Sequence, residues 1–171
     1  MSFAAITIVM GVAGCGKTTL ATALAAAAGG RFIDADDYHS AANKQKMAAG
    51  VALSDDDRGP WLDALNQELR RHAGTAWPLF VACSALRKSY RARLTEGVPS
   101  VRFVYLRISK ELARQRITAR AASGHYMPAA LIDSQFAALE EPTEPSVLTL
   151  DASQPLAQLL AQAQLLLPAG S

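Results

Sequence analysis

A glycine-rich loop lies near the start of the chain, between an apolar segment and a helix-prone one. It reads Gly11-Val12-Ala13-Gly14-Cys15-Gly16-Lys17-Thr18. The β-branched run at 5–10 before it suits a buried strand, and the alanine- and leucine-rich run after it favours a helix. Strand, loop and helix in this order are the context of a phosphate-binding loop. We therefore expect the chain to bind a nucleoside triphosphate.

Each part of this loop suits phosphate binding. The glycines let the backbone wrap closely with its N–H groups inward, and the helix N-terminus adds partial positive charge. Lys17 is expected to reach the β- and γ-phosphates, and the Thr18 hydroxyl to ligate Mg²⁺. The predicted nucleotide contacts of this segment are Gly11, Val12, Ala13, Gly14, Cys15, Gly16, Lys17, Thr18 and Thr19.

Cys15 has two interpretations. The helix N-terminus and Lys17 both favour a thiolate, which would be reactive in the empty loop. Alternatively, its side chain points into the core and is inert.

Apolar and helix-prone segments alternate along the 171 residues. Five apolar runs predict strands at 5–10, 31–34, 79–83, 101–106 and 147–150. The alternation predicts a single-domain α/β fold of the P-loop NTPase type, with a five-stranded parallel sheet between two layers of helices. Pro60 is expected to open a helix that buries Trp61, Leu62, Leu65 and Leu69 on one face.

The composition excludes several classes of protein. Half of the residues are hydrophobic and 19% are charged, which is typical of a compact domain. A net charge of +2 is too small to indicate nucleic acid or a membrane as the main partner. Two cysteines do not make a disulfide framework, and no basic residue precedes the N-terminal apolar run. These features favour the cytoplasm.

Two carboxylates follow the second predicted strand. The sequence there is Asp34-Ala35-Asp36-Asp37. Carboxylates at the carboxyl edge of a parallel strand face the ligand crevice, and alternate positions on an extended segment share a face. We therefore place Asp34 near Mg²⁺, in contact through water, and Asp36 near the hydroxyl that receives the phosphoryl group. The alternative is a turn with solvated acids, which we favour for Asp37.

Further motifs, in order along the chain, resemble the gluconate kinase family, relatives of shikimate and adenylate kinases. An aspartate-rich run ends in Arg58-Gly59-Pro60-Trp61-Leu62, and Cys83-Ser84-Ala85-Leu86 lies downstream. The family's other motifs are matched by Asp34-Ala35-Asp36, His39, 43–47, 87–91, 124–127 and 134–142. The resemblance covers about residues 6–160. It implies ATP-dependent phosphorylation of D-gluconate at the 6-hydroxyl, with ATP and Mg²⁺ required.

The resemblance assigns the remaining site residues. Asp36 is the candidate to orient and deprotonate the hydroxyl, and the planar fork of Arg58 suits the substrate carboxylate. For Asp55, Asp56 and Asp57, capping of the following helix and substrate contact remain alternatives. The other expected substrate contacts are His39, Lys88, Arg91, His125 and Gln135.

In this superfamily a mobile lid brings arginines onto the triphosphate. Arg116 and Arg120 match those positions and are expected to bind ATP, with Arg120 counted as catalytic beside Lys17 and Asp36. Arg114 is expected at the surface. About 116–130 would form the lid, and about 36–75 a substrate-binding insertion. The loop at 151–155 corresponds to the adenine site of relatives, and the family also suggests a homodimer.

Two alternatives remain. One is a kinase of another small acceptor, such as adenylylsulfate, shikimate or a nucleotide, although adenylylsulfate kinases would not continue with Asp37-Tyr38-His39. The other is a nucleotide-sensing module without transfer chemistry.

Overall fold

Five parallel strands form the centre of the fold. The computed structural model describes residues 6–124 and 127–165. The strands are β1 (Ile6–Met10), β2 (Arg31–Asp34), β3 (Leu79–Ala82), β4 (Val101–Arg107) and β5 (Val147–Asp151). They pair in the order β2-β3-β1-β4-β5. All carboxyl ends therefore meet at one edge of the sheet, and the predicted α/β fold is confirmed.

Helices cover both faces of the sheet. The helices among the described residues are α1 (Lys17–Ala28), α2 (Ala41–Ala48), α3 (Asp55–His72), α4 (Lys88–Thr95), α5 (Lys110–Ala121), α6 (Ala129–Ala138) and α7 (Leu156–Gln164), with a 3-10 turn over Ala35–Tyr38. None of these helices has the length and apolarity needed to cross a bilayer.

The alternation of side chains along β1 supplies the two cores. Val9 packs with Phe80 and Val104 against α1 and α7, where Leu20, Leu24 and Leu159 are buried. Ile8 and Met10 point to the opposite face and pack against α3 and α4. The predicted stripe on α3 is buried as expected and consists of Trp61, Leu62, Leu65 and Leu69. Both faces of the central strand are covered, which explains why all of its residues except Thr7 are apolar.

One predicted helix boundary is wrong. Pro60 lies inside α3, which begins at Asp55. The Ser54 hydroxyl accepts from the Asp57 N–H at 3.1 Å, and the Asp57 carboxylate accepts from the Ser54 N–H at 2.9 Å. This capping box starts the helix before the proline, although Pro60 cannot donate the N–H that the Asp56 carbonyl would otherwise accept.

Candidate active site

The glycine-rich loop crosses the carboxyl end of β1 and leads into α1. Gly11 has φ +149°, and a Cβ there would lie 2.9 Å from the Leu106 carbonyl oxygen. Gly14 has φ +82°, and its Cβ would lie 3.0 Å from the Ala113 carbonyl oxygen. Glycine is therefore required at both positions, because the backbone approaches β4 and α5 too closely for a side chain.

Cys15 points into the core beneath this loop. Its side chain is 1% exposed and packs with Val9, Leu20 and Leu106. The structure thus favours the second interpretation given above, an inert cysteine. Cys83 is equally buried, and burial raises the pKa of its thiol to about 12.

A cavity of about 360 Å³ lies on the α5 side of the loop. Gly16 and Thr19 line it from one side, and Ala152 and Gln154 from the loop after β5. Arg116 bridges the two sides, since its guanidinium donates to the Ala152 carbonyl at 2.7 Å and to the Gly14 carbonyl at 3.4 Å. Arg120 lines the same cavity and is exposed. The structure thus brings both predicted arginines next to the phosphate-binding loop.

A second cavity, of about 100 Å³, lies at the β2 side of the loop. It collects side chains from distant parts of the chain. Six residues predicted to contact nucleotide or substrate line it, namely Ala13, Lys17, Asp36, His39, Arg58 and Gln135. We call this cavity the acceptor cleft.

Thr18 and Asp34 face each other at the carboxyl edge. The Thr18 hydroxyl donates to Asp34 Oδ2 at 3.3 Å, and the Asp36 N–H donates to Asp34 Oδ1 at 3.0 Å. The chain therefore turns into the 3-10 turn directly after Asp34, and the predicted extended geometry of Asp34 and Asp36 is wrong. The turn still directs Asp36 into the acceptor cleft and leaves Asp34 beside Thr18.

The environment of Asp36 raises the pKa of its carboxyl. Desolvation in the cleft raises the pKa of this carboxyl, while the positive charge of Lys17 opposes the shift and Asp34 adds to it. The side chain remains open to solvent. Its position in the cleft explains both facts, because protein surrounds it on several sides while one side stays accessible. A carboxylate of raised pKa is a stronger base than an ordinary aspartate.

His39 is held in the cleft wall by stacking. Its ring lies 4.2 Å from that of Trp61 with an interplanar angle of 15°. Trp61 is anchored in turn, since its Nε1 donates to the Ala35 carbonyl at 2.7 Å. Burial lowers the pKa of His39 to about 4, and the charges of Arg58 and Lys44 act in the same direction. His39 is therefore neutral at pH 7.

Asn43 fixes the orientation of the His39 ring. Its Nδ2 lies 3.5 Å from His39 Nδ1 and donates to the Asp57 carbonyl at 2.9 Å. A neutral ring that accepts at Nδ1 carries its proton on Nε2. Asn43 belongs to the motif at 43–47 but was not predicted as a site residue, although an asparagine four residues after a candidate histidine is a spacing typical of contact between neighbouring turns.

Gln135 joins α6 to the phosphate-binding loop. Its Oε1 accepts from the Ala13 N–H at 2.7 Å, across 122 positions of sequence. Because Oε1 is bonded to the loop, the amide nitrogen of Gln135 is the group that can donate a hydrogen bond in the cleft.

Lys88 and Arg91 do not line the acceptor cleft, contrary to expectation. Both line a separate cavity with Phe103 and Glu144. Arg91 is 6% exposed and donates to the carbonyls of Ala85 and Leu86 at 3.0 and 3.2 Å. These bonds hold the guanidinium against the backbone of the loop after β3, so the structural role of Arg91 is to stabilise that loop.

The remaining predicted residues divide between helix capping and the surface. Asp57 belongs to the capping box and pairs with exposed Lys46 at 2.8 Å, whereas Asp55 accepts from the Tyr90 hydroxyl. Arg114 lies at the surface as predicted and pairs with Asp133 at 2.5 Å. His125 lies outside the described residues. Tyr90 was not singled out, because an aromatic residue in a basic helix gives no signal by itself.

Comparison with known proteins agrees with this geometry. Residues 6–142 match the model of an AAA domain family. The chain is 42% identical over 160 residues to the thermosensitive gluconokinase of Escherichia coli, covering 91% of this chain and 83% of that protein. It is 39% identical over 158 residues to the thermoresistant gluconokinase of the same organism, covering 91% and 89%.

Solved structures give the same result. A gluconokinase from Sinorhizobium meliloti superposes with a TM-score of 0.83 at 38% identity, covering 95% of this chain and 91% of that one. An unliganded sugar kinase from a Janibacter species superposes with a TM-score of 0.88 at 41% identity, covering 95% and 93%. With this identity over nearly the whole length, the chain belongs to the gluconokinase family.

Proposed function

We propose that this chain transfers the γ-phosphoryl group of ATP to the 6-hydroxyl of D-gluconate, giving 6-phospho-D-gluconate and ADP. The observation that carries the proposal is the acceptor cleft, where Lys17, Asp36 and Arg58 line one cavity. A sugar acid needs a base at its hydroxyl and a cation at its carboxylate, and the cleft offers both. The gluconokinases among its relatives support this choice of acceptor.

The nucleotide occupies the other side of the loop in this proposal. The triphosphate lies on the N–H groups of 11–18, with the base in the cavity beside Ala152 and Gln154. Arg116 and Arg120 neutralise phosphate charge, Arg120 more directly because Arg116 is already bonded to two carbonyls. The segment 116–130 acts as the lid that excludes water during transfer.

The side chains at the carboxyl edge also fit a magnesium ion. Thr18 and Asp34 present a hydroxyl and a carboxylate, which are the hard oxygen ligands that Mg²⁺ prefers. The part of the chain that the structure describes has no cluster of three His, Cys, Asp or Glu side chains placed for a metal. This agrees with an ion bound by few protein groups together with waters and phosphates. When bound, Mg²⁺ would neutralise charge on the phosphates.

Asp36 orients the 6-hydroxyl and accepts its proton. As O6 bonds to the γ-phosphorus, the bond from that phosphorus to the β–γ bridging oxygen breaks, and ADP leaves with the bond's electrons. Lys17 lies in the same cleft, where its charge stabilises the phosphoryl group during transfer. Little covalent chemistry is needed, because phosphoryl transfer depends mainly on positioning and charge.

Arg58, His39 and Gln135 select the acceptor. The Arg58 guanidinium binds the carboxylate in two parallel hydrogen bonds. Neutral His39 and the amide nitrogen of Gln135 each donate to an oxygen of the sugar acid. Most of this set comes from 36–75, which we propose as the substrate-binding insertion.

Release of ADP with a panel of acceptors tests the proposal. We expect turnover with D-gluconate and little with glucose, shikimate, adenylylsulfate or AMP. A phosphate on the 6-carbon has two neighbouring protons, so the product should give a triplet in proton-coupled ³¹P spectra. Preference for another acceptor, or no ADP release with any, would overturn the assignment.

We also propose that the protein is a cytoplasmic homodimer. Sedimentation would check the oligomeric state, and cell fractionation would check the location.

A further inference from the structure

Four charged or polar side chains form a cluster at the edge of the acceptor cleft. The Tyr90 hydroxyl donates to Asp55 Oδ1 and accepts from Arg58 Nη1 at 3.2 Å. Arg87 Nη1 lies 3.5 Å from Asp55 Oδ2. The Tyr90 ring also contacts both arginines, with guanidinium carbons 5.4 Å (Arg58) and 5.7 Å (Arg87) from its centroid. Of these residues, only Arg58 lines the cleft.

The cluster binds one particular nitrogen of Arg58. Nη1 donates both to the Leu53 carbonyl at 2.6 Å and to the Tyr90 hydroxyl. Nη1 has two protons, so both are used within the protein. The protons left for a ligand are those on Nε and Nη2, and that edge of a guanidinium matches a carboxylate in two parallel bonds.

We infer that Tyr90 and Asp55 are positioning residues for the substrate carboxylate, acting through Arg58. This inference rests on the proposed function and adds to it a reason for acceptor specificity. Tyr90 accepts from Arg58 because Asp55 takes the hydroxyl proton, which leaves the phenolic oxygen free to accept. Asp55 therefore fixes the direction of both hydrogen bonds, from Arg58 Nη1 to the Tyr90 hydroxyl and from that hydroxyl to Asp55.

Such fixation matters because a free arginine side chain has many conformations. A guanidinium held before the substrate arrives loses less conformational freedom on binding, so the acceptor binds more tightly. Tyr90 lies in α4 and is 7% exposed. Its ring belongs to the core that also includes the buried face of α3, so the position of its hydroxyl is fixed.

The test uses Tyr90→Phe, which removes the hydroxyl and keeps the ring. We expect the KM for gluconate to rise about tenfold, with kcat and the KM for ATP within about threefold of wild type. Tyr105→Phe is the matched control, because Tyr105 is also buried but its hydroxyl donates to Glu141, a residue that does not line the cleft. Asp55→Ala, which removes the acceptor of the Tyr90 hydroxyl proton, should raise the gluconate KM in the same way, and Asp56→Ala at the exposed neighbour should not.

A double-mutant cycle separates positioning from general structure. In an Arg58→Ala background, Tyr90→Phe should change the gluconate KM less than twofold, because the guanidinium that it positions is absent. An equal rise in both backgrounds, or no rise with either Tyr90→Phe or Asp55→Ala, would overturn the inference alone. A wild-type protein that does not phosphorylate gluconate would overturn the proposed function as well.

Discussion

Asp36 is the side chain on which the proposed proton transfer depends. Asp36→Asn keeps the shape and removes the base, so kcat should fall by roughly 10²–10⁴-fold with the KM for ATP nearly unchanged. Asp37→Asn is the matched control, because Asp37 is the exposed neighbour outside the cleft. Steady-state kinetics decide between the roles. A kcat for Asp36→Asn within a few-fold of wild type would make Asp36 a structural residue.

His39 should make the stability of the protein depend on pH. Its pKa is about 4 in the folded protein and near 6.5 in the unfolded chain. Between these values the unfolded chain binds a proton that the folded protein does not. This contribution is therefore complete above about pH 6.5 and is lost as the pH falls toward 4. We expect the whole contribution to be on the order of 3 kcal/mol.

Urea unfolding at pH 7 and pH 5 measures this effect. The loss of unfolding free energy between the two values should be smaller in His39→Phe, which keeps an aromatic ring against Trp61 but cannot titrate. An identical loss in both proteins would show that other groups cause the pH dependence.

At the scale of the element, the N-terminus of α3 combines capping with substrate binding. Ser54→Ala removes the cap and should lower the unfolding free energy by about 1 kcal/mol. It should also raise the gluconate KM, since Asp55 and Arg58 lie in or next to the first turn of this helix. Ser109→Ala is the control, because Ser109 caps α5 on the nucleotide side. A gluconate KM equally affected by both variants would contradict this coupling.

The elements of the fold were predictable because their signals are local. The apolar runs and the glycine-rich loop carry their own periodicity and backbone requirements, and the observed strands agree with them. The start of α3 was missed because Pro60 is a strong signal, whereas the Ser54–Asp57 capping box depends on two side chains bonding reciprocally.

The contacts of the site were harder to predict. Asp36 and Arg58 could be chosen because their chemistry suits a sugar acid. The burial of Arg91 could not be predicted from the sequence, because it depends on the carbonyls of Ala85 and Leu86 and on how α4 packs. The Gln135–Ala13 bond is equally non-local, and no pattern within either segment indicates it.

At the scale of the molecule, the sheet order separates the two substrates. The chain between β2 and β3 lines the acceptor cleft and not the nucleotide cavity, whereas α5 and the loop after β5 line the nucleotide cavity and not the cleft. Arg58→Ala should therefore raise the gluconate KM by tenfold or more and leave the ATP KM within about twofold. Arg116→Ala should raise the ATP KM and leave the gluconate KM within about twofold. Equal effects of either variant on both constants would contradict the separation.

The position of β1 also bears on how the chain folds during synthesis. Of the five strands it is made first, yet its neighbours are β3 and β4, so it stays unpaired until residue 82 has left the ribosome and lacks its second neighbour until residue 107 has followed. Pairings this distant in sequence form slowly. The loop that follows β1 takes its shape against Leu106 in β4 and Ala113 in α5, so it too depends on residues made long after it. A nascent chain should thus gain affinity for nucleotide only after residue 113 has emerged, and ATP would stabilise chains that have folded this far over shorter ones.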